Sequence, residues 1–133
     1  MKKTILFLAF AFLCIHGFSQ ARLNSTASEI REEFSDEQYN LTSGFDSDGD
    51  YYIRVENDRS TAFYYFENNQ MCYMTIIIPD DQGALNMYAE HYNSRYVIIS
   101  DTKWKMYTSN GIANIELVFT DNNSYFFLWT RAM

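Results

Sequence analysis

The chain has 133 residues, with 10 Lys and Arg against 17 Asp and Glu. A length of this order fits one domain and excludes a repeat array, a membrane bundle or a pair of catalytic domains. The net charge of −7 argues against nucleic acid and anionic lipid as partners, since both would repel it.

Residues 1–21 read as a secretory signal peptide. Lys2 and Lys3 form a basic start, Ile5 to Ile15 is an unbroken apolar run, and His16-Gly17 breaks it. The run is shorter than the roughly 17–25 apolar residues that span a bilayer, so no transmembrane segment is expected once the leader is removed. Ser19 and Ala21 place small residues where the peptidase needs them, which sets the cut after Ala21. Residues 22–133 then form a single α+β domain, periplasmic or secreted. Without Lys2 and Lys3 it keeps 10 − 2 = 8 cations against 17 anions, a net charge of −9.

Removal of Cys14 leaves Cys72 as the lone cysteine, which cannot close an internal disulfide. It alternates with Met74, Ile76 and Ile78 along an apparent strand, which predicts a buried, inert thiol.

The first element after the leader is a short amphipathic helix near 27–37. Ala27, Ile30 and Phe34 fall on one stripe, and Thr26 with Glu29 makes a capping box. Strand signals follow. Asp48-Gly49 is a tight-turn pair, and Tyr51, Ile53 and Val55 alternate with Tyr52, Arg54 and Glu56. Turn residues at 57–59 lead into Thr61–Glu67, and those at 68–70 into Met71–Ile78. Pro79 ends this meander, after which Asp80 or Asp81 can cap a second helix. Its apolar stripe is Leu85, Tyr88, Ala89, Tyr92 and Tyr96. Strands are expected at Val97–Ser100, Trp104–Thr108, Ile112–Thr120 and Tyr125–Arg131, with the hairpin pair Asn110-Gly111 between the second and third.

The expected fold is thus α+β: an antiparallel β-sheet of about six strands packed by two helices, in the order α-β-β-β-α-β-β-β. The alternative is a single curved antiparallel sheet around one long helix. Phe34–Tyr39 (FSDEQY) and Tyr92–Tyr96 (YNSRY) occupy equivalent places, each ending a helix and leading into strands. The doubled layout resembles the β-lactamase-inhibitor-protein group and small envelope-assembly lipoprotein domains. It implies architecture alone, and no functional residue is carried over.

Among candidate chemical sites, Asp46, Asp48 and Asp50 resemble the first ligands of a calcium loop. The spacing then fails, because Tyr51 and Asn57 stand where an EF-hand needs Gly and Glu. An acidic hairpin turn explains them better, with weak calcium binding as the lesser reading and no cofactor otherwise. His91 is the sole histidine beyond the leader and sits on the flank of the second helix, without a catalytic partner in sequence. No Gly-rich phosphate loop and no nucleophile elbow occurs. The sequence favours a non-catalytic domain, and a small hydrolase using carboxylates or His91 is the alternative.

Aromatic content is the remaining signal. Beyond the leader stand 11 Tyr, 7 Phe and 2 Trp against 5 Leu, so the interior is built partly from rings. Alternation assigns Tyr51, Ile53, Val55, Cys72, Met74, Ile76, Ile78, Ala113, Ile115, Leu117, Phe119, Phe126 and Leu128 to the helix-covered face. The opposite face then carries Tyr52, Arg54, Tyr73, Thr75, Lys105, Tyr107, Tyr125, Phe127, Trp129 and Arg131. Rings edged by cations are enriched at interfaces and at sugar-stacking sites. The candidate binding residues are Tyr52, Arg54, Tyr73, Tyr107, Tyr125, Trp129 and Arg131. The expected ligand is a protein or peptide, less so a glycan, bound by a monomer or homodimer.

Overall fold

The structure, a computed structural model, describes residues 21–68, 70–109 and 111–132. The leader predicted over 1–21 therefore lies, except for Ala21, outside the described residues. The elements are helix α1 (Ala27–Glu33), a 3-10 turn (Glu37–Tyr39), strands β1 (Thr42–Phe45), β2 (Tyr51–Glu56), β3 (Ser60–Glu67) and β4 (Met71–Pro79), helix α2 (Gln82–Arg95), and strands β5 (Val97–Ser100), β6 (Lys103–Thr108), β7 (Gly111–Phe119) and β8 (Tyr125–Ala132).

All eight strands form one sheet in the order β1-β2-β3-β4-β8-β7-β6-β5, and each neighbouring pair is antiparallel. Each half of the chain is a helix followed by a four-stranded meander, and the two meanders meet at β4 and β8. The sheet has eight strands where about six were expected. Thr42–Phe45 was not recognised as a strand, because TSGF is short and only weakly apolar, and Val97–Ser100 forms an edge strand of its own.

Local chemistry explains the element ends. Thr26 Oγ1 accepts from the Glu29 amide at 3.2 Å while Glu29 Oε1 accepts from the Thr26 amide at 3.3 Å, completing the capping box. The helix stops at Glu33 rather than near 37. Phe34 leaves helical geometry as its C-cap, and Asp36 takes up the amide of Gln38 to start the 3-10 turn. Asp81 caps α2 by accepting from the Ala84 amide at 2.8 Å.

The inner face of the sheet carries a row that crosses every strand: Ser43, Ile53, Tyr64, Thr75, Trp129, Ile115, Trp104 and Ile98 are successive cross-strand partners. A second inner row runs Val55, Ala62, Ile77, Phe127 and Leu117. Both helices pack here. Ile30 of α1 is fully buried, and the Phe34 ring stacks on Tyr64 at 6.1 Å. From α2, Ala84, Leu85, Tyr88 and Tyr92 are buried, with Ala89 and Tyr96 packed against the same core.

Tyr92 meets Phe127 at 4.9 Å, Trp129 at 5.5 Å and Trp104 at 5.6 Å, all edge to face. The polar ends of these rings are paired. Trp129 Nε1 donates to Tyr92 Oη at 3.3 Å, Trp104 Nε1 donates to Asn93 Oδ1 at 2.8 Å, and the hydroxyls of Ser60 and Tyr88 are 2.8 Å apart. Large amphipathic rings thus fill the core without stranding those donors.

Two strands depart from the expected faces: β4 from Met74 onward, with Cys72 inward as expected, and β8 throughout. On β4, Cys72, Thr75 and Ile77 point inward, and Met74, Ile76 and Ile78 outward. The pairing jumps from Phe66↔Cys72 to Tyr65↔Met74, so Tyr73 is the extra residue of a bulge that inverts the alternation. On β8, Phe127 and Trp129 are inward and Phe126 and Leu128 outward, because the register with Ile77 and Ile76 sets the parity. Trp129 is 1% exposed. Trp129→Ala is therefore expected to cost about 3–5 kcal/mol in denaturant unfolding. Leu128→Ala, one residue away on the outer face, is expected to cost well under half as much.

Candidate functional site

The outer face of the sheet is overlaid by neither helix. Its central row runs Arg54, Phe63, Ile76, Leu128, Glu116 and Lys103 across six strands. The adjoining row runs Gly44, Tyr52, Tyr65, Met74, Thr130, Asn114 and Lys105. Ile78, Phe126 and Val118 extend the apolar zone toward one end of the strands. Most of these side chains are half-buried, and Ile78 is 38% exposed. A sheet face in water ordinarily alternates to polar residues. Here nine large apolar or aromatic side chains (Tyr52, Phe63, Tyr65, Met74, Ile76, Ile78, Val118, Phe126, Leu128) lie contiguously instead.

Neighbouring groups hold the rings in place. Tyr52 lies 5.7 Å from Phe63 and 5.9 Å from Tyr65. Gly44 leaves room for it, since a Cβ there would stand 3.2 Å from the Tyr52 hydroxyl. Arg54 sits over the Phe63 ring at 6.0 Å and pairs with Glu56 at 2.9 Å. Burial, then the nearby Asp46 carboxylate, raises the Tyr65 hydroxyl above its ordinary pKa.

Of the seven candidate binding residues, Tyr52 and Arg54 lie in this zone. Tyr107 is on the same face at 59% exposure but on β6, five strands from Tyr52 and Arg54. Tyr73 occupies the bulge at the rim. The other three are elsewhere. Trp129 is in the core under α2, Tyr125 packs edge-on to Phe119 at 6.5 Å on the inner side, and Arg131 donates to Asn24 Oδ1 at 3.1 Å and to Glu67 Oε2 at 3.2 Å. Phe63, Tyr65, Ile76, Phe126 and Leu128 were missed as surface residues. In AFYYF (62–66) and YFFLW (125–129) every position is apolar or aromatic, so alternation carries no information about which side faces water.

The acidic turn is a structural device. Asp46 Oδ1 accepts from the amides of Asp48 and Asp50, each at 2.9 Å, and Gly49 adopts a φ of +85°. Among the described residues no group of three His, Cys, Asp or Glu side chains is placed to hold a metal ion.

His91 is half-buried between Tyr92 and Tyr96, at 6.1 and 6.3 Å, and burial followed by the Arg95 charge lowers its pKa. A depression beside α1 is lined by Arg31, Phe34, Ser35, Asp36, Glu37, Asn40 and Leu41, and its two acids are exposed to solvent. Cys72 is free and buried, and burial pushes its thiol up to about 11.

Two outcomes are expected. Cys72 reacts with a disulfide reagent near neutral pH far more slowly in the native protein than in denaturant, because its thiolate is scarce and covered. Asp46→Ala lowers unfolding stability by about 1–2 kcal/mol, Asp46→Asn keeps most of it because the amide oxygen still accepts, and millimolar calcium leaves the wild-type melting temperature unchanged.

No protein-family model, no curated protein and no solved structure matches the chain, so the doubled helix-and-meander layout stands as architecture alone and the functional reading rests on the geometry of the outer face.

Proposed function

We propose that this is an exported, non-catalytic domain, periplasmic or secreted, that binds a protein partner through the outer face of its sheet. The observation that supports this most is the contiguous apolar zone centred on Phe63, Ile76 and Leu128, on a face that neither helix overlays. Contiguous exposed patches of this kind are uncommon on monomeric soluble proteins and mark interaction surfaces. Arg54 and Glu56 at one end of the zone, with Glu116 and Lys103 at the other, supply a polar rim of both signs around an apolar centre.

The shape favours a macromolecule, since a sheet face is broad and open whereas small-molecule sites are concave. A protein fits better than a glycan because aliphatic side chains break up the rings: Met74, Ile76, Ile78, Val118 and Leu128 offer no face on which a sugar can stack, and they separate Tyr52, Phe63 and Tyr65 from Phe126.

The test is affinity capture from the native cell envelope and medium with the leaderless protein, repeated with Phe63→Ser and Leu128→Ser. Trp129→Ala is unsuited as a control because it strikes the core. Each outer-face variant is expected to keep a cooperative unfolding transition and to weaken binding of the captured protein by at least about tenfold, as loss of a central apolar anchor does. A partner held equally by wild type and both variants would show that this face is not the binding surface.

A further inference from the structure

The segment that follows the leader is stitched into the fold from its first described residue. Ala21 is 4% exposed and belongs to the hydrophobic core. Its carbonyl accepts a hydrogen bond from Thr75 Oγ1, and Cys72 Sγ lies 3.9 Å from the same oxygen. Thr75 is fully buried in the centre of the inner row, and among the described residues its hydroxyl meets, besides Ala21, the weakly polar Cys72 sulfur at 3.3 Å. Beyond Ala21 the chain runs along the start of β4. The Asn24 amide donates to the Cys72 carbonyl and the Cys72 amide to the Ser25 carbonyl, both at 2.8 Å, and Thr26 bridges Met71. Arg22 pairs with Glu33 and lies over the Phe34 ring at 5.7 Å.

We infer that the leader is cut between Ser19 and Gln20, so that Ala21 stays in the exported protein. This rests on the export reading above and places the cut two residues before the one expected after Ala21. Cleavage at Ala21–Arg22 removes the buried carbonyl that accepts from the Thr75 hydroxyl and takes a methyl out of the core, each of which costs stability. It also places a charged amine on Arg22 beside that gap.

Cleavage after Gln20 puts Gln20 and Phe18 at the two positions where signal peptidases take small residues. Cleavage after Ser19 puts Ser19 and Gly17 there. It alone among the three satisfies both the peptidase, which reads the unfolded chain, and the core, which needs Ala21. Water adds across the Ser19–Gln20 amide, leaving a carboxylate on Ser19 of the released leader and an amine on Gln20.

The experiment is to express the whole chain with its leader in a secreting bacterium and to weigh the exported protein intact. The expected mass begins at Gln20, with or without loss of ammonia where the Gln20 amine closes on its own side-chain amide. A chain beginning at Arg22 overturns the inference and leaves export standing. A chain that keeps Met1 and stays inside the cell overturns the export reading and this inference with it.

A second measurement tests the physical basis on leaderless chains released from a cleavable fusion. The chain beginning at Arg22 is expected to melt roughly 3–8 °C below the chain beginning at Gln20. Thr75→Val is expected to lower the melting temperature of the longer chain more than that of the shorter. Equal melting temperatures for the two starts would overturn the argument from Ala21.

Discussion

The contact of Tyr92 with Phe127, Trp129 and Trp104 is the interaction on which the rest of the fold depends. One helix must cover the half of the sheet where the second meander folds back beside the first, and Tyr92 brings one ring against β8 and β6 together. Three edge-to-face pairs are worth about 0.5–1.5 kcal/mol each beyond the area they bury. The Tyr92 hydroxyl also accepts from Trp129, so burying that indole leaves no orphaned donor. Burial in turn raises the Tyr92 hydroxyl well above its ordinary pKa, which keeps it neutral in a region that could not tolerate a charge.

Once the inner face is set in this way, the outer face follows. Antiparallel alternation sends every second side chain to the other side, so placing Trp129 and Phe127 under α2 commits Leu128 and Phe126 to solvent. The bulge at Tyr73 does the same to β4, turning Ile76 and Ile78 outward so that Thr75 can meet Ala21. The apolar outer zone is thus a consequence of how the core is filled, and it persists in water because the covering helices are both spent on the other side. The protein partner proposed above would shield this zone.

Local signals in the sequence were reliable where chemistry acts within a few residues. The capping box at Thr26 and Glu29, an aspartate cap on α2 (Asp81 of the two offered), the stop at Pro79, the stripe on α2 and the turn at Asp46–Asp50 are all present. Each depends on a hydrogen bond or a spacing that the chain carries with it. The faces of β2 and β7 were also legible, because Arg54, Glu56, Asn114 and Glu116 interrupt their apolar residues and mark the wet side.

The faces of β3, β4 and β8 were not legible, and the candidate site inherited the error. Where AFYYF, III and YFFLW are apolar or aromatic at every position, nothing in the strand itself says which side is dry, and the one polar residue among the inner positions of β4, Thr75, points inward. The extra residue at Tyr73 cannot be recognised before β3 and β4 are paired. The sequence by itself therefore determined the helices, the turns, the number of aromatic rings and the need for a ring-filled core. Only the tertiary structure decided that Trp129 is core and Phe63, Ile76 and Leu128 are surface, because side-chain parity in an all-apolar strand is set by the register of its neighbours and not by its own residues.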